Sequence, residues 1–253
     1  MIEVTGLTKR YGEFTAVREL SFSVQPGEVM GLVGPNGAGK TTTLRCATGI
    51  IPPTLGTIRI GGTDLREDPV GAKRRLAFMP DEPRLFDHLT VEQHLNFVAR
   101  LHGVTDWRDR AKPILADLEM ADKRSLLPAE LSRGMKQKLV IACGLLHSPT
   151  VIFFDEPLTG LDPGGIRRMK ETMRRLARDG AALILSSHLL SLVEEVCTHV
   201  LILKAGEKVA DGSIADIRTR FAVHPDASLE DVFFKATEDQ PAAAPPVLPV
   251  LPS

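Results

Sequence analysis

The sequence predicts an α/β fold with a mostly parallel sheet. Three observations carry that prediction. A β-prone run, a glycine-rich loop and a helix-compatible run follow one another across residues 28–49. An apolar run at 150–154 stops abruptly at Asp155-Glu156. Strand-like and helix-like segments then alternate to residue 210. Alternation of this kind favours parallel pairing, because a chain that returns to the same sheet edge needs a helix-length crossover.

The first observation has chemical content. Residues 28–33, Glu-Val-Met-Gly-Leu-Val, read as a buried strand. Residues 34–42 follow as Gly34, Pro35, Asn36, Gly37, Ala38, Gly39, Lys40, Thr41 and Thr42. The spacing is Gly, four residues, Gly, Lys, Thr. Residues 43–48 suit a helix, and Gly49 ends it. Glycines let the backbone turn its N–H groups inward, and those donors favour a polyanion at a helix N-terminus. In this context Lys40 reaches β- and γ-phosphates, and the Thr41 hydroxyl can ligate Mg²⁺. The loop predicts nucleotide binding and says nothing of how the nucleotide is used.

The remaining elements follow in order. Residues 1–35 read as short strands with turns at Tyr11-Gly12 and Pro26-Gly27. Residues 57–60 and 76–79 are further strands. Val91, Leu95, Val98 and Leu101 recur at helical spacing, as do Ile114, Leu115 and Leu118. Residues 85–145 therefore read as a mostly helical insertion. Within it, Ser132 is a good N-cap for a helix read over 136–146. The run 150–154 suits a central parallel strand. A helix at 163–178, a strand at 182–186, a helix at 189–197 and strands at 199–203 and 208–210 complete the core. Residues 213–236 read as terminal helices, with Leu229, Val232, Phe233 and Ala236 on one face. From Gln240 the sequence is rich in Pro, Ala and Val and reads as a disordered tail.

Composition removes several classes of function. Lys and Arg total 31 against 32 Asp and Glu, so no global charge points to nucleic acid or a membrane surface. The arginines at 167, 168, 174 and 175 read as a solvated helix face. Cys46, Cys143 and Cys197 form no close pair, which excludes a disulfide framework and a zinc module. No apolar run approaches the roughly 18 residues of a membrane span. The start, Met1-Ile-Glu-Val, reads as a strand rather than a targeting signal. Any membrane process would need its spanning part from another chain.

Two further sites carry chemistry. Asp155-Glu156 closes a strand. An acid at such a strand end can hold Mg²⁺, and a second acid beside it can polarise a water as general base. Ser187-His188 follows the strand at 182–186, at the sheet edge where open α/β folds bind ligands.

Together these residues resemble the nucleotide-binding subunit of ATP-binding-cassette (ABC) transporters over about residues 1–236. Residues 34–42 match the Walker A loop, and 151–156 match Walker B with its catalytic glutamate. Leu131 to Met135 resemble the family signature between them. Gly160-Leu161-Asp162 resembles the D-loop, and His188 the switch histidine. Tyr11 stands where the family stacks an aromatic ring on adenine. The resemblance implies a phosphate-loop NTPase core with an N-terminal antiparallel β subdomain and an inserted helical subdomain. The implied division is core with β subdomain at 1–84 and 146–220, helical subdomain at 85–145, a C-terminal helix at 221–236, and the tail at 237–253.

The resemblance also implies roles. Lys40 and the loop amides hold ATP. Thr41, Asp155 and Asp81 serve the metal. Glu156 polarises water, His188 positions the γ-phosphate, and Asp162 completes the catalytic set. Ser132 and Gly134 act on ATP bound to a second, similar subunit. The implied partners are ATP, that subunit and a membrane-spanning permease, met around Asp81 to Phe86 at the cytoplasmic face of the plasma membrane. Two positions depart from the family pattern. Asp81 replaces the usual Gln of the Q-loop, and Arg133 replaces the first signature Gly. The form Ser132-Arg-Gly-Met-Lys136, with Pro80-Asp-Glu-Pro83 and Leu229-Glu-Asp-Val-Phe233, resembles exporter ATPases of the ABC-2 type. The rival reading is a soluble ABC ATPase acting on nucleic acid or ribosomes. Such proteins usually carry two cassettes, a long coiled-coil insertion or Cys clusters; this sequence has one phosphate loop and no Cys pair.

Overall fold

A computed structural model describes residues 1–221 and 227–238. The expected tail from Gln240 lies outside the described residues. The chain opens with a hairpin of β1 (Ile2–Tyr11) and β2 (Phe14–Val24), followed by β3 (Val29–Val33), α1 (Lys40–Ala47), β4 (Leu55–Ile60), β5 (Thr63–Asp64), α2 (Pro69–Arg74) and β6 (Leu76–Met79). Three helices follow: α3 (Val91–His102), α4 (Trp107–Asp117) and α5 (Arg133–Leu145). The chain then runs through β7 (Val151–Asp155), α6 (Pro163–Arg178), β8 (Ala182–Ser186), α7 (Leu190–Val196), β9 (His199–Lys204) and β10 (Glu207–Ser213). It ends in α8 (Ile214–Arg220) and α9 (Leu229–Glu238).

Two sheets result. One is antiparallel, in the order β2-β1-β4-β5. The other has the order β10-β9-β3-β8-β7-β6 and is parallel except for the β9–β10 hairpin. In β7 the period-2 alternation splits a continuous apolar run between two cores. Val151 and Phe153 join the cluster under the antiparallel sheet and α1. Ile152 and Phe154 join the cluster beneath the helices. Leu183 and Leu185 of β8 divide from Ala182 and Ile184 in the same way. Burial on both faces is why these strands show no polar alternation.

Several boundaries differ from the sequence expectation. β1 and β2 have 10 and 11 residues, longer than the short strands expected, and β5 and α2 were not anticipated. Helix α5 begins at Arg133, three residues early, because Ser132 caps it: the hydroxyl accepts the Met135 N–H at 3.2 Å. On α3, Val91 and Leu95 are buried, whereas Leu101, from the same apolar row, is 67% exposed. On α6 four of the five arginines are paired: Arg167 with Glu171, Arg168 with Glu119, Arg174 with Glu195 and Arg175 with Asp117. That pairing neutralises the basic run that the sequence shows on this helix.

Candidate nucleotide site

The loop from β3 to α1 forms the floor of a cleft of about 340 Å³. Asn36, Gly37, Ala38, Gly39, Lys40, Thr41 and Thr42 line it, with Phe14 and Ala16 on one side and Asp81, Asp155, Glu156 and Ser186 on the other. The topology explains the convergence. Strands β6, β7, β8 and β3 are consecutive neighbours running in one direction. Asp81, Asp155-Glu156, Ser187-His188 and the glycine loop each lie at or just beyond the C-terminal end of one of them. That edge is where open α/β sheets bind ligands.

Two loop glycines have no room for a side chain: Gly34, where a Cβ would stand 2.4 Å from the Leu203 carbonyl oxygen, and Gly39. The φ of Gly39 is 99°, and a Cβ there would stand 2.6 Å from the Ala16 carbonyl oxygen. The next residue, Lys40, folds back over the loop. Its Nζ donates to the Gly34 carbonyl at 2.6 Å and to Pro35 at 3.1 Å. Burial lowers the Lys40 pKa, against the opposing pull of Glu156 and Asp155.

Asp155 is 9% exposed and ends β7. Burial raises its pKa. A hydrogen bond from Ser186 opposes the rise, and the charges of Glu156 and Asp81 add to it. Glu156 has φ 47°, a left-handed conformation unusual outside glycine. Such strain costs about 1–3 kcal/mol and is found where surroundings fix a functional group. Here the Glu156 N–H donates to the Ser186 carbonyl at 2.9 Å. Its carboxylate accepts the His188 N–H at 2.9 Å and the Ser187 hydroxyl at 3.2 Å, and meets His188 Nδ1 at 2.8 Å.

The fold leaves other expected residues outside this cleft. Ser132 caps α5, and Gly134 packs against the 160 loop, where a Cβ would stand 2.6 Å from the Gly160 carbonyl oxygen. Asp162 caps α6, accepting the Gly165 N–H at 2.9 Å. Tyr11 is also outside the lining. The residue is 50% exposed, with the Lys9 ammonium 5.1 Å from its ring centroid. The aromatic side chain that lines the cleft is Phe14, paired with Tyr11 across the hairpin. The sequence reading missed Phe14; the two-residue turn between the strands was its only signal. Gln137, on α5, was missed too: its amide nitrogen donates to the Pro80 carbonyl at 3.2 Å and holds the Asp81 loop.

A glycine-loop grip on one side of a parallel sheet edge, facing two adjacent acids, defines a nucleoside triphosphatase of the phosphate-loop class. The comparisons give the family. The family model described as ABC transporter matches residues 17–159. The chain is 34% identical over 241 residues to the ABC-type transporter ATP-binding protein EcsA of Bacillus subtilis, spanning 94% of this chain and 97% of that one. It is 38% identical over 214 residues to Nod factor export ATP-binding protein I of Paraburkholderia xenovorans, covering 84% and 70% of the two chains. A solved ATP-binding subunit of an ABC transporter superposes with a TM-score of 0.90 at 35% identity, over 94% of this chain and all of that one. The cassette MJ0796, solved as a dimer, shares the fold at a TM-score of 0.78, over 85% of this chain and 99% of that one. The chain belongs to the ABC transporter family and is its ATP-binding, ATP-hydrolysing subunit.

Proposed function

We propose that the chain works as one half of an ATP-closed dimer that drives a membrane-spanning permease, in the direction of export. The observation that carries this reading is the separation of its motifs. Lys40, Asp155 and Glu156 share one cleft, while Ser132 and Gly134 sit at the start of α5, outside it. A second copy or close homologue would bring its own Ser132 and Gly134 to the ATP held by this chain. Asp162, beside them at the start of α6, would belong to the same dimer face. Relatives of exporting systems, such as the Nod factor protein, support the direction.

Mg²⁺ fits the donors present. The Thr41 hydroxyl and the carboxylates of Asp155 and Asp81 are hard oxygen ligands, and Asp81 Oδ1 is a buried oxygen without a hydrogen-bond partner among the described residues. No group of three His, Cys, Asp or Glu among the described residues could hold an ion alone. That suits a metal held by one or two carboxylates plus substrate phosphates. Bound there, Mg²⁺ would neutralise charge developing on the β- and γ-oxygens. Lys40 exchanges its carbonyl partners for phosphate oxygens. Glu156 accepts a proton from the attacking water, and His188, already bonded to Glu156, would position the γ-phosphate.

The permease surface is proposed around Phe86. His94 is buried on α3. Its Nε2 accepts the Phe86 N–H at 3.0 Å, while Nδ1 donates to the Thr90 carbonyl at 2.9 Å. Phe86 is thereby fixed edge-on to Phe97, centroids 5.2 Å apart, and both rings are about half exposed. Leu101 continues this exposed apolar face one turn along α3. No helix among the described residues is long and apolar enough to cross a membrane, so peripheral attachment at the cytoplasmic face would come through this surface. Purified from its native membrane, the chain is expected to bring down a multi-span protein. Phe86→Asp should cut that recovery roughly tenfold, as loss of an aromatic anchor does. Recovery with ribosomes or DNA alone would reject the reading.

A further inference from the structure

Asp81 and Arg133 are the two positions that depart from the family pattern, and the fold sets them face to face. Asp81 Oδ1 lies 3.6 Å from Arg133 Nη2. That oxygen has no solvent access and no hydrogen-bond partner among the described residues. The guanidinium is therefore its nearest charge compensation. The stem of Arg133 is constrained as well. Its Cγ and Cδ lie 3.2 Å from where a Cβ on Gly160 would stand, so the arginine rises from the contact between α5 and the 160 loop.

Charge in the cleft gives this contact a purpose. Asp81, Asp155 and Glu156 line it opposite a single ammonium, Lys40. A neutral residue at 81 would leave two carboxylates there; aspartate makes three. Arg133 supplies the balancing charge from the first turn of α5. We propose that Arg133 is a positioning residue for the chain's own nucleotide site, holding the Asp81 carboxylate and offsetting its charge until the metal–nucleotide complex arrives. Asp81 then exchanges one cation for another, and Arg133 is released from it. The inference rests on the metal-side reading of Asp81 given above.

The test is binding of the non-hydrolysable analogue AMP-PNP across a range of Mg²⁺ concentrations, by calorimetry. Arg133→Ala should lower the half-saturating Mg²⁺ concentration about two- to fivefold, the range of a partly exposed ion pair. Arg133→Lys should restore most of the wild-type value. In an Asp81→Asn background, Arg133→Ala should shift nothing further. An equal Mg²⁺ shift in both backgrounds would overturn the pairing. A shift with Asp81→Asn but none with Arg133→Ala would overturn the role of Arg133 and leave Asp81 at the metal. No shift with Asp81→Asn would overturn the metal-side reading itself.

Discussion

His188 holds the Glu156 carboxylate from two directions, its main-chain N–H on Oε1 at 2.9 Å and its Nδ1 on Oε2 at 2.8 Å. Because Nδ1 donates, the ring keeps Nε2 for another partner. The two residues follow adjacent parallel strands, β7 and β8, so the contact is a consequence of sheet order. Glu156→Gln removes the proton acceptor and keeps the shape. It should bind ATP within about twofold of wild type, lose turnover by at least roughly 10²-fold, and accumulate as an ATP-bound dimer. Steady-state phosphate release and light scattering check both parts. Near-normal hydrolysis by that variant would falsify the general-base role.

Asp155 offers a stability test with a defined sign. Burial first, then the neighbouring charges of Glu156 and Asp81, raise its pKa from the ordinary aspartate value, against the Ser186 hydrogen bond and Arg45. A raised folded value means that the native state binds the proton more tightly than the unfolded chain. The ionised group therefore costs stability above its unfolded pKa, and the cost is complete once pH exceeds the folded value. Without nucleotide, Asp155→Asn should raise Tm at pH 7.5. The gain should shrink as pH falls through the folded pKa and vanish near the unfolded one. Thermal scans between pH 4 and 8 measure it; a lower Tm for the variant at pH 7.5 rejects the account.

What the sequence made legible follows from physics local to the chain. The glycine loop, the apolar run ending at Asp155 and the alternating elements are short-range patterns, and they anticipated the parallel sheet and the cleft floor. Ser132 was legible as a cap because capping needs only a hydroxyl and three following residues. Contacts set by the fold were not legible. Asp81 and Arg133 are 52 positions apart, and nothing in either segment shows that a loop after β6 and the first turn of α5 approach each other. The early start of α5 has the same origin: residues 133–135 carry no apolar period, and the cap and packing against Gly160 fix them. The hairpin register, which sets Phe14 against the cleft, depends on irregular pairing between β1 and β2 that spacing does not reveal.

That register yields the last prediction. Tyr11 and Phe14 are cross-strand partners at the hairpin tip, yet Phe14 lines the cleft and Tyr11 does not. Lys9 sits 5.1 Å from the Tyr11 ring centroid, a cation–π contact that occupies this face of the ring. If Phe14 is the ring against which adenine stacks, Phe14→Ala should weaken ATP binding about tenfold, within the usual range for loss of one base–aromatic stack. Tyr11→Ala should change it by less than about twofold. Neither should alter inorganic triphosphate binding, since the glycine loop and Lys40 hold the phosphates. Titration with ATP and with triphosphate separates the base from the phosphate contribution. A tenfold loss on Tyr11→Ala with Phe14→Ala silent would return the adenine contact to Tyr11 and require the hairpin tip to rearrange on binding.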